Sequence, residues 1–258
     1  MALVSSFEFL RNPIYRIVDN LSISSDGPVY SVVVAHRGEF SNIEEIELDR
    51  SSETAANLLR CLLAELKARL SGKIDLQSVC PAGLQPAGSG QMRSPAFRGF
   101  DKHADIQRTR RNLPHWEQEN ANRARLIIGD QAIRFRQEHA GAFRFWDLGE
   151  QWKKLTGLPF VYALWLIRPE VPDAKSIAQR LRELRDENLA DIAAIVSNAV
   201  ADAAHNKQTI TQEFLDRYYH EYLRFGFGAR EKQGLQTFAD LCAKHGVLPK
   251  RGRDFSLV

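Results

Sequence analysis

Three groups of neutral, donor-rich residues have the chemistry to hold an anion. They are Ser5-Ser6 behind a short apolar run, Ser51-Ser52 with Thr54 at a strand-to-helix junction, and Thr156-Gly157 in a TGLPF corner. A helix N-terminus leaves several backbone N–H groups unpaired, and its dipole favours negative charge. Serine and threonine hydroxyls add donors there, so the Ser51/Ser52/Thr54 junction has the makings of a carboxylate or phosphate pocket. Taken alone, plain N-capping is the favoured reading of the same residues. For Ser5-Ser6 the polar end of a strand is likewise the favoured reading. In the corner, Gly157 and Pro159 stand directly ahead of the apolar run FVYALWLI. A glycine beside a preset proline turn lets N–H groups face outward and build a ligand wall from main chain; an ordinary helix-to-strand connector fits equally well.

Other chemistries find little support. The seven histidines form no HxxxH or HxH pair, so each is expected to be a surface or capping residue and no metal is expected. There is no GxSxG elbow and no Gly-rich phosphate loop. Cys61, Cys80 and Cys242 are odd in number and lack a CxxC pair, which fits a reducing compartment better than a disulfide framework. Cys61 and Cys242 lie in apolar helical patterns and are expected to be buried. Arg108-Thr-Arg-Arg near Phe97, Phe100 and Trp116 has the composition of an RNA-binding arm. Its aromatics are not regularly interleaved, so a solvated loop is the better reading and no nucleic-acid partner is expected. The N-terminal segment is not leader-like and no run reaches membrane-span length, from which a cytoplasmic location without a membrane partner is expected.

The elements that must position these groups follow from the patterning. With 44% hydrophobic and 26% charged residues, the 258-residue chain reads as an ordinary globular protein with one large or two modest domains. Its net charge of +3 is localised, because residues 92–125 carry +4 and the rest carries −1. Residues 1–40 read as short strands and turns, with VYSVVVAH as a strand after the Asp26-Gly27-Pro28 turn. Ile43 to Leu48 reads as another short strand. The period then becomes helical, with Leu58, Leu59, Leu62, Leu63 and Leu66 on one face and Ser51 or Ser52 as N-cap. RLIIG reads as a buried strand leading into a helix at Asp130. Beyond the corner, Pro172 and Asp173 open a helix bearing Ile177, Leu181 and Leu184. Further helices are expected from about Leu189, from Thr211 to about Leu223, and from Arg230 to His245 with a Leu235, Phe238, Ala239, Cys242 stripe. Strands alternating with helices point to an α/β fold with a parallel or mixed sheet.

Several blocks together resemble the chorismate dehydratase family of the futalosine route to menaquinone. They are ALVSSFEFLRNP, LSISSDGPVYSVVV, LDRSSETAANLLRCLL, RLIIGDQAI, DLGEQWKKLTGLPFVYALW and YLRFGFGAREKQGLQTFADL, in the family's order. The resemblance implies a two-lobed α/β fold like the type II periplasmic binding proteins, with a helical C-terminal part. Residues 1–42 and 167–258 would form the first lobe and residues 43–166 the second, with a flexible insertion at about 82–115. It further implies that Ser5, Ser6, Ser51, Ser52, Thr54, Thr156, Gly157, Leu158 and Pro159 line the substrate cleft. The implied reaction is dehydration of chorismate to 3-[(1-carboxyvinyl)oxy]benzoate by a monomer or homodimer, with no cofactor. No catalytic residue is assigned, because the substrate's own enolpyruvyl carboxylate is implied as the base. Family members carry a further N-terminal segment with a Ser-x-x-Asn type motif, so Met1 is expected to be internal to a longer natural chain. The alternatives are a truncated, inactive homologue or a small-carboxylate-binding protein of the same fold.

The Gly, Pro, Ser and Arg content of Gly83 to Arg111 leaves that stretch little to bury. Its deletion is expected to leave stability within about 2 kcal/mol of the full chain, the scale below which no core has been damaged. Chemical denaturation of the deleted and full-length chains decides this.

Overall fold

The computed structural model describes residues 1–49, 52–70, 122–205, 210–250 and 255–258. Ser51, Cys80, the basic segment as far as residue 121 and the expected insertion at 82–115 lie outside the described residues.

Two sheets carry the fold. The smaller is built from β1 (Ala2–Ser5), β2 (Arg16–Ser25) and β7 (Phe160–Ile167) in the order β1-β7-β2. The larger is built from β3 (Val32–His36), β4 (Glu45–Glu47), β5 (Arg123–Ile128) and β6 (Arg144–Asp147) in the order β4-β5-β3-β6. The helices are α1 (Ser6–Arg11), α2 (Glu53–Leu70), α3 (Gly129–Glu138), α4 (Leu148–Thr156), α5 (Ala174–Ala190), α6 (Ile192–His205), α7 (Gln212–Arg217) and α8 (Ala229–Lys244), with a π-helical turn at Tyr218–Tyr222.

The expected alternation of strand and helix is present, and of the parallel or mixed arrangements expected the larger sheet is mixed, while the smaller is antiparallel. Among the named strands only β4 and β5 pair in parallel; β7 runs antiparallel to β1 and β2, and β3 antiparallel to β5 and β6. The reason is insertion. β1-α1-β2 and β5-α3-β6 each return the chain in the same direction, as a parallel crossover does. In each case a strand from elsewhere in the chain lies between the two. β3, which follows β2, enters the larger sheet, and β7, which follows β6 and α4, enters the smaller one. Sheet membership therefore changes at 26–31 and 148–159, ahead of the boundaries expected at 42/43 and 166/167.

Burial explains why the inserted strands are the apolar ones. β3 reads VVVAH and is buried along its whole length. Val32 and Val34 enter the main core, while Val33 and Ala35 pack with Ile127 against Ala132 of α3. That main core also holds Leu58, Leu59, Leu62 and Leu63 of α2, Leu164 of β7, and Leu235 and Phe238 of α8. A second core places Val18 and Leu21 of β2 against Ala174, Ala178 and Leu181 of α5. Leu184, expected in the same stripe, is exposed. The outer edge of β2 is covered by its own chain: Ser24 exchanges backbone bonds with Arg224 (2.9 and 2.8 Å), and Ile17 with Ser256 and Val258 (2.8 and 2.9 Å).

Several local expectations are corrected. Residues 6–11 form a helix, so Ser5 closes β1 and also caps α1, accepting from Glu8 N at 3.4 Å. His36 is buried in the central strand, where its Nδ1 meets Gly38 O at 2.9 Å and burial lowers its pKa. The helix expected from Thr211 to about Leu223 ends at Arg217 and passes into the π-helical turn. Cys61 and Cys242 are buried as expected, their sulfurs 3.8 Å apart between α2 and α8. Their mutual contact and burial push the Cys242 thiol up.

The approach of α8 to the corner after α4 depends on Gly234. A Cβ there would lie 2.1 Å from the Pro159 carbonyl oxygen, which backbone cannot easily vacate. Trp152 donates to that same oxygen at 3.1 Å, and its ring meets Phe160 and Phe238 edge-on. Gly234→Ala is expected to cost about 1–3 kcal/mol by forcing α8 off this cluster. Gly226→Ala, whose Cβ would approach nothing closer than Asn20 Oδ1 at 3.8 Å, serves as the control. Thermal melts of the two variants give the comparison.

Candidate functional site

The serine-bearing segments, far apart in sequence, meet at the N-termini of α1 and α2. Phe7 N, in the first turn of α1, donates to Thr54 Oγ1 in the first turn of α2 at 3.1 Å. Arg11 pairs with Glu53 at 2.9 Å across the same junction. Ser52 Oγ accepts from Ala55 N at 3.2 Å, so Ser52 is the N-cap of α2. Ser5, Ser6, Ser52 and Thr54 are thereby gathered at one place. Three of the four hydroxyls there accept a backbone N–H: Ser5 from Glu8, Ser52 from Ala55 and Thr54 from Phe7. The fourth differs. Ser6 is fully buried, and its Oγ has no hydrogen-bond partner among the described residues. A buried hydroxyl without a partner costs free energy, and native structures hold few of them.

The TGLP corner does not join this group. Ser5 pairs with Ala163, which puts the Pro159 end of the strand roughly 13 Å away at about 3.3 Å per residue. Gly157 is the left-handed C-cap of α4, with φ of 72°. The N–H groups expected to face outward are used internally: Gly157 N donates to Lys153 O at 2.8 Å and Leu158 N to Thr156 Oγ1 at 3.1 Å. The carbonyl of Gly157 accepts from Lys153 and Arg230 at 3.0 and 2.8 Å. The connector reading describes this geometry.

A second polar cluster, not singled out from the sequence, lies where the chain passes between the sheets. The Asp147 carboxylate ends β6, caps α4 through Glu150 N at 3.1 Å, and accepts from Val29 N at 3.1 Å and Tyr30 N at 2.8 Å. Arg136 approaches it to 3.6 Å. Ser25 Oγ donates to Gly27 O at 3.0 Å and lies 3.2 Å from Tyr162 Oη. Gly149 allows α4 to start against this group, since a Cβ would stand 2.5 Å from Gly27 O. Burial and the nearby Asp147 charge hold the Tyr162 hydroxyl well above the usual tyrosine range. The Asp147-Leu-Gly-Glu150 spacing is a recognisable helix-start signal, but nothing in the sequence couples it to Val29 and Tyr30. Among the described residues no group of three or more His, Cys, Asp or Glu is placed to hold a metal, and no helix is long and apolar enough to cross a membrane.

Burial raises the Asp147 pKa, against the backbone N–H bonds from Val29, Glu150 and Tyr30 and the nearby Arg136 charge. The folded chain therefore binds this proton more tightly than the unfolded chain. The contribution of Asp147 to stability is complete at low pH and declines as pH rises above about 4, where an unfolded aspartate ionises. In Asp147→Asn that slope is absent, and a misplaced amide donor leaves backbone N–H groups unpaired at ~1–3 kcal/mol each. Denaturation from pH 4 to 8 should show the wild-type advantage narrowing with rising pH. A widening gap would mean that the hydrogen bonds, and not burial, set this carboxylate.

Comparison with known proteins places this geometry among relatives. A family model described as menaquinone biosynthesis matches residues 1–79 and 97–244. Chorismate dehydratase of Thermus thermophilus is 27% identical over 260 residues, spanning 93% of this chain and 78% of that protein. Protein AF1704 from Archaeoglobus fulgidus has a crystal structure similar to this one in fold. The TM-score is 0.57 at 17% identity, over 95% of this chain and 79% of that one.

Proposed function

Because the chain belongs to the menaquinone biosynthesis family, we propose that it dehydrates chorismate to 3-[(1-carboxyvinyl)oxy]benzoate, with each sheet forming the core of one lobe around the substrate. Its likeness to the Thermus thermophilus chorismate dehydratase over most of the chain supports this reading. So does the chemistry. Loss of water from the chorismate ring makes the ring aromatic, so the elimination is downhill. The protein's task is to hold a dianion with the departing hydroxyl and ring proton aligned. Hydroxyls and main-chain N–H groups at helix starts bind carboxylates without a fixed counter-charge.

The observation that carries the proposal is the Ser6 hydroxyl, fully buried beside the α1–α2 junction and without a hydrogen-bond partner among the described residues. A substrate carboxylate would be its missing acceptor. Reaching it requires α1 and α2 to part locally, which breaks the buried Phe7 N–Thr54 Oγ1 bond as well as the exposed Arg11–Glu53 pair. Both Phe7 N and Thr54 Oγ1 are then left to be satisfied by the incoming anion and its surroundings.

Ser6 also separates function from capping. Ser52→Ala removes an N-cap and is expected to lower stability by about 1 kcal/mol whatever the function. Ser6→Ala removes a hydroxyl that bonds nothing among the described residues, so the melting temperature should hold or rise. Chorismate turnover, followed by substrate loss and product mass, should fall ten- to a hundredfold in kcat/KM at ~1.4 kcal/mol per tenfold. A Ser6→Ala protein with unchanged kcat/KM would remove this site. Chorismate binding without turnover in the wild type would favour the small-carboxylate-binding alternative, and neither binding nor turnover the inactive homologue.

A further inference from the structure

Two departures from regular backbone meet at the first passage between the sheets. Tyr30 has φ of 66°, a left-handed conformation that a non-glycine residue keeps only where its surroundings enforce it. Beside it α7 gives way to the π-helical turn Tyr218–Tyr222, a rare form concentrated at functional sites. These features touch. The Tyr30 ring contacts Phe214 at 4.8 Å and stacks on Tyr222 at 5.6 Å, between centroids. The Arg136 guanidinium lies 3.8 Å from the same ring centroid and donates to the Tyr30 carbonyl at 3.1 Å.

The adjacent residue extends the connection. Tyr218 Oη donates to Ser31 Oγ at 2.8 Å. Ser31 is buried, and its carbonyl accepts from Gly129 N, the first residue of α3, at 2.7 Å. A line of bonds thus runs from the C-terminal π turn, through the passage, to the start of α3, where Gly129, Asp130 and Gln131 are exposed. The start of α3 belongs to the larger sheet's unit, whereas the segment after the π turn is bound along β2 of the smaller one.

We infer that Tyr218 is a positioning residue for the dehydration proposed above: acting through Ser31, it sets where the exposed start of α3 stands against the smaller sheet. The inference rests on that functional reading. Tyr218 does not itself touch the reacting atoms. It removes one freedom between the two halves that must align a substrate held between them, and a small misalignment of that kind is costly in rate.

The test uses Tyr218→Phe, Ser31→Ala and the double variant of the full chain. Tyr218→Phe deletes one hydroxyl and keeps the ring packing. Its kcat on chorismate should fall roughly tenfold with KM within about twofold, a loss in alignment more than in binding. Ser31→Ala should give a similar loss and the double variant no further loss, because the two residues act as one unit. Amide hydrogen exchange should quicken at Gly129 and stay unchanged in β7. Additive losses in kcat, unchanged exchange at Gly129, or a lowered melting temperature with unchanged kcat would each overturn the inference. Absence of turnover in the wild type would overturn the functional reading instead. The exchange experiment would then still decide whether Tyr218 controls the start of α3.

Discussion

The buried carboxylate of Asp147 ties together the two segments on which this topology depends. The smaller sheet takes β1 and β2 from before the larger sheet's segment and β7 from after it, so the chain must pass between the sheets twice. Asp147 stands at the start of the second passage and bonds the backbone of the first at Val29 and Tyr30. It also caps α4 through Glu150. One side chain thereby terminates a strand, starts a helix and holds the other passage against both. Burial of an ionisable group is costly unless its bonds are made, and here backbone donors and Arg136 supply them.

The rest of the packing follows from that clasp. With α4 begun at Asp147, its Trp152 reaches the Pro159 carbonyl, and Phe160 and Phe238 close around the indole. Gly234 lets α8 lie against the same carbonyl. Farther along α8, Cys242 meets Cys61 of α2, and Glu65 of α2 bonds Lys244 and His245 at 2.6 and 2.7 Å. Although burial favours neutral Glu65, those two partners hold its pKa below the usual value. The helix that carries Ser52 and Thr54 at one end is therefore anchored to the C-terminal helix at Cys61 and Glu65.

The polar chemistry is divided between two places. The α1–α2 junction offers neutral donors and one buried hydroxyl, that of Ser6, without a partner among the described residues. The passage between the sheets offers Tyr162, Ser25, Ser31 and Tyr218, whose hydroxyls are engaged with one another or with backbone. Burial raises the pKa of Tyr218 against its bond to Ser31, so this hydroxyl keeps its proton as a donor.

Much of this was legible in the sequence, for reasons that are local. The leucine face of α2, the apolar run of β7, the Gly157 stop of α4 and the Leu235–Phe238–Cys242 stripe follow from periodicity and turn chemistry, which neighbouring residues determine on their own. Ser52 as a cap belongs to the same class. What needed the tertiary structure was everything set by pairing at long range. The strand alternation could not reveal that β3 and β7 are inserted antiparallel, because a βαβ pattern reads the same whether its strands are adjacent or divided by a third. Ser5, Ser6 and Thr54 were each visible as polar residues, yet only the Phe7–Thr54 bond brings them together and only packing leaves Ser6 unpartnered. The corner after α4 had the composition of an open main-chain wall, and its own helix and side chains use those N–H groups instead. Tyr30 and Ser31 lie more than a hundred residues from both Asp147 and Tyr218 and share no spacing signal with them, so only the folded chain could decide that they meet.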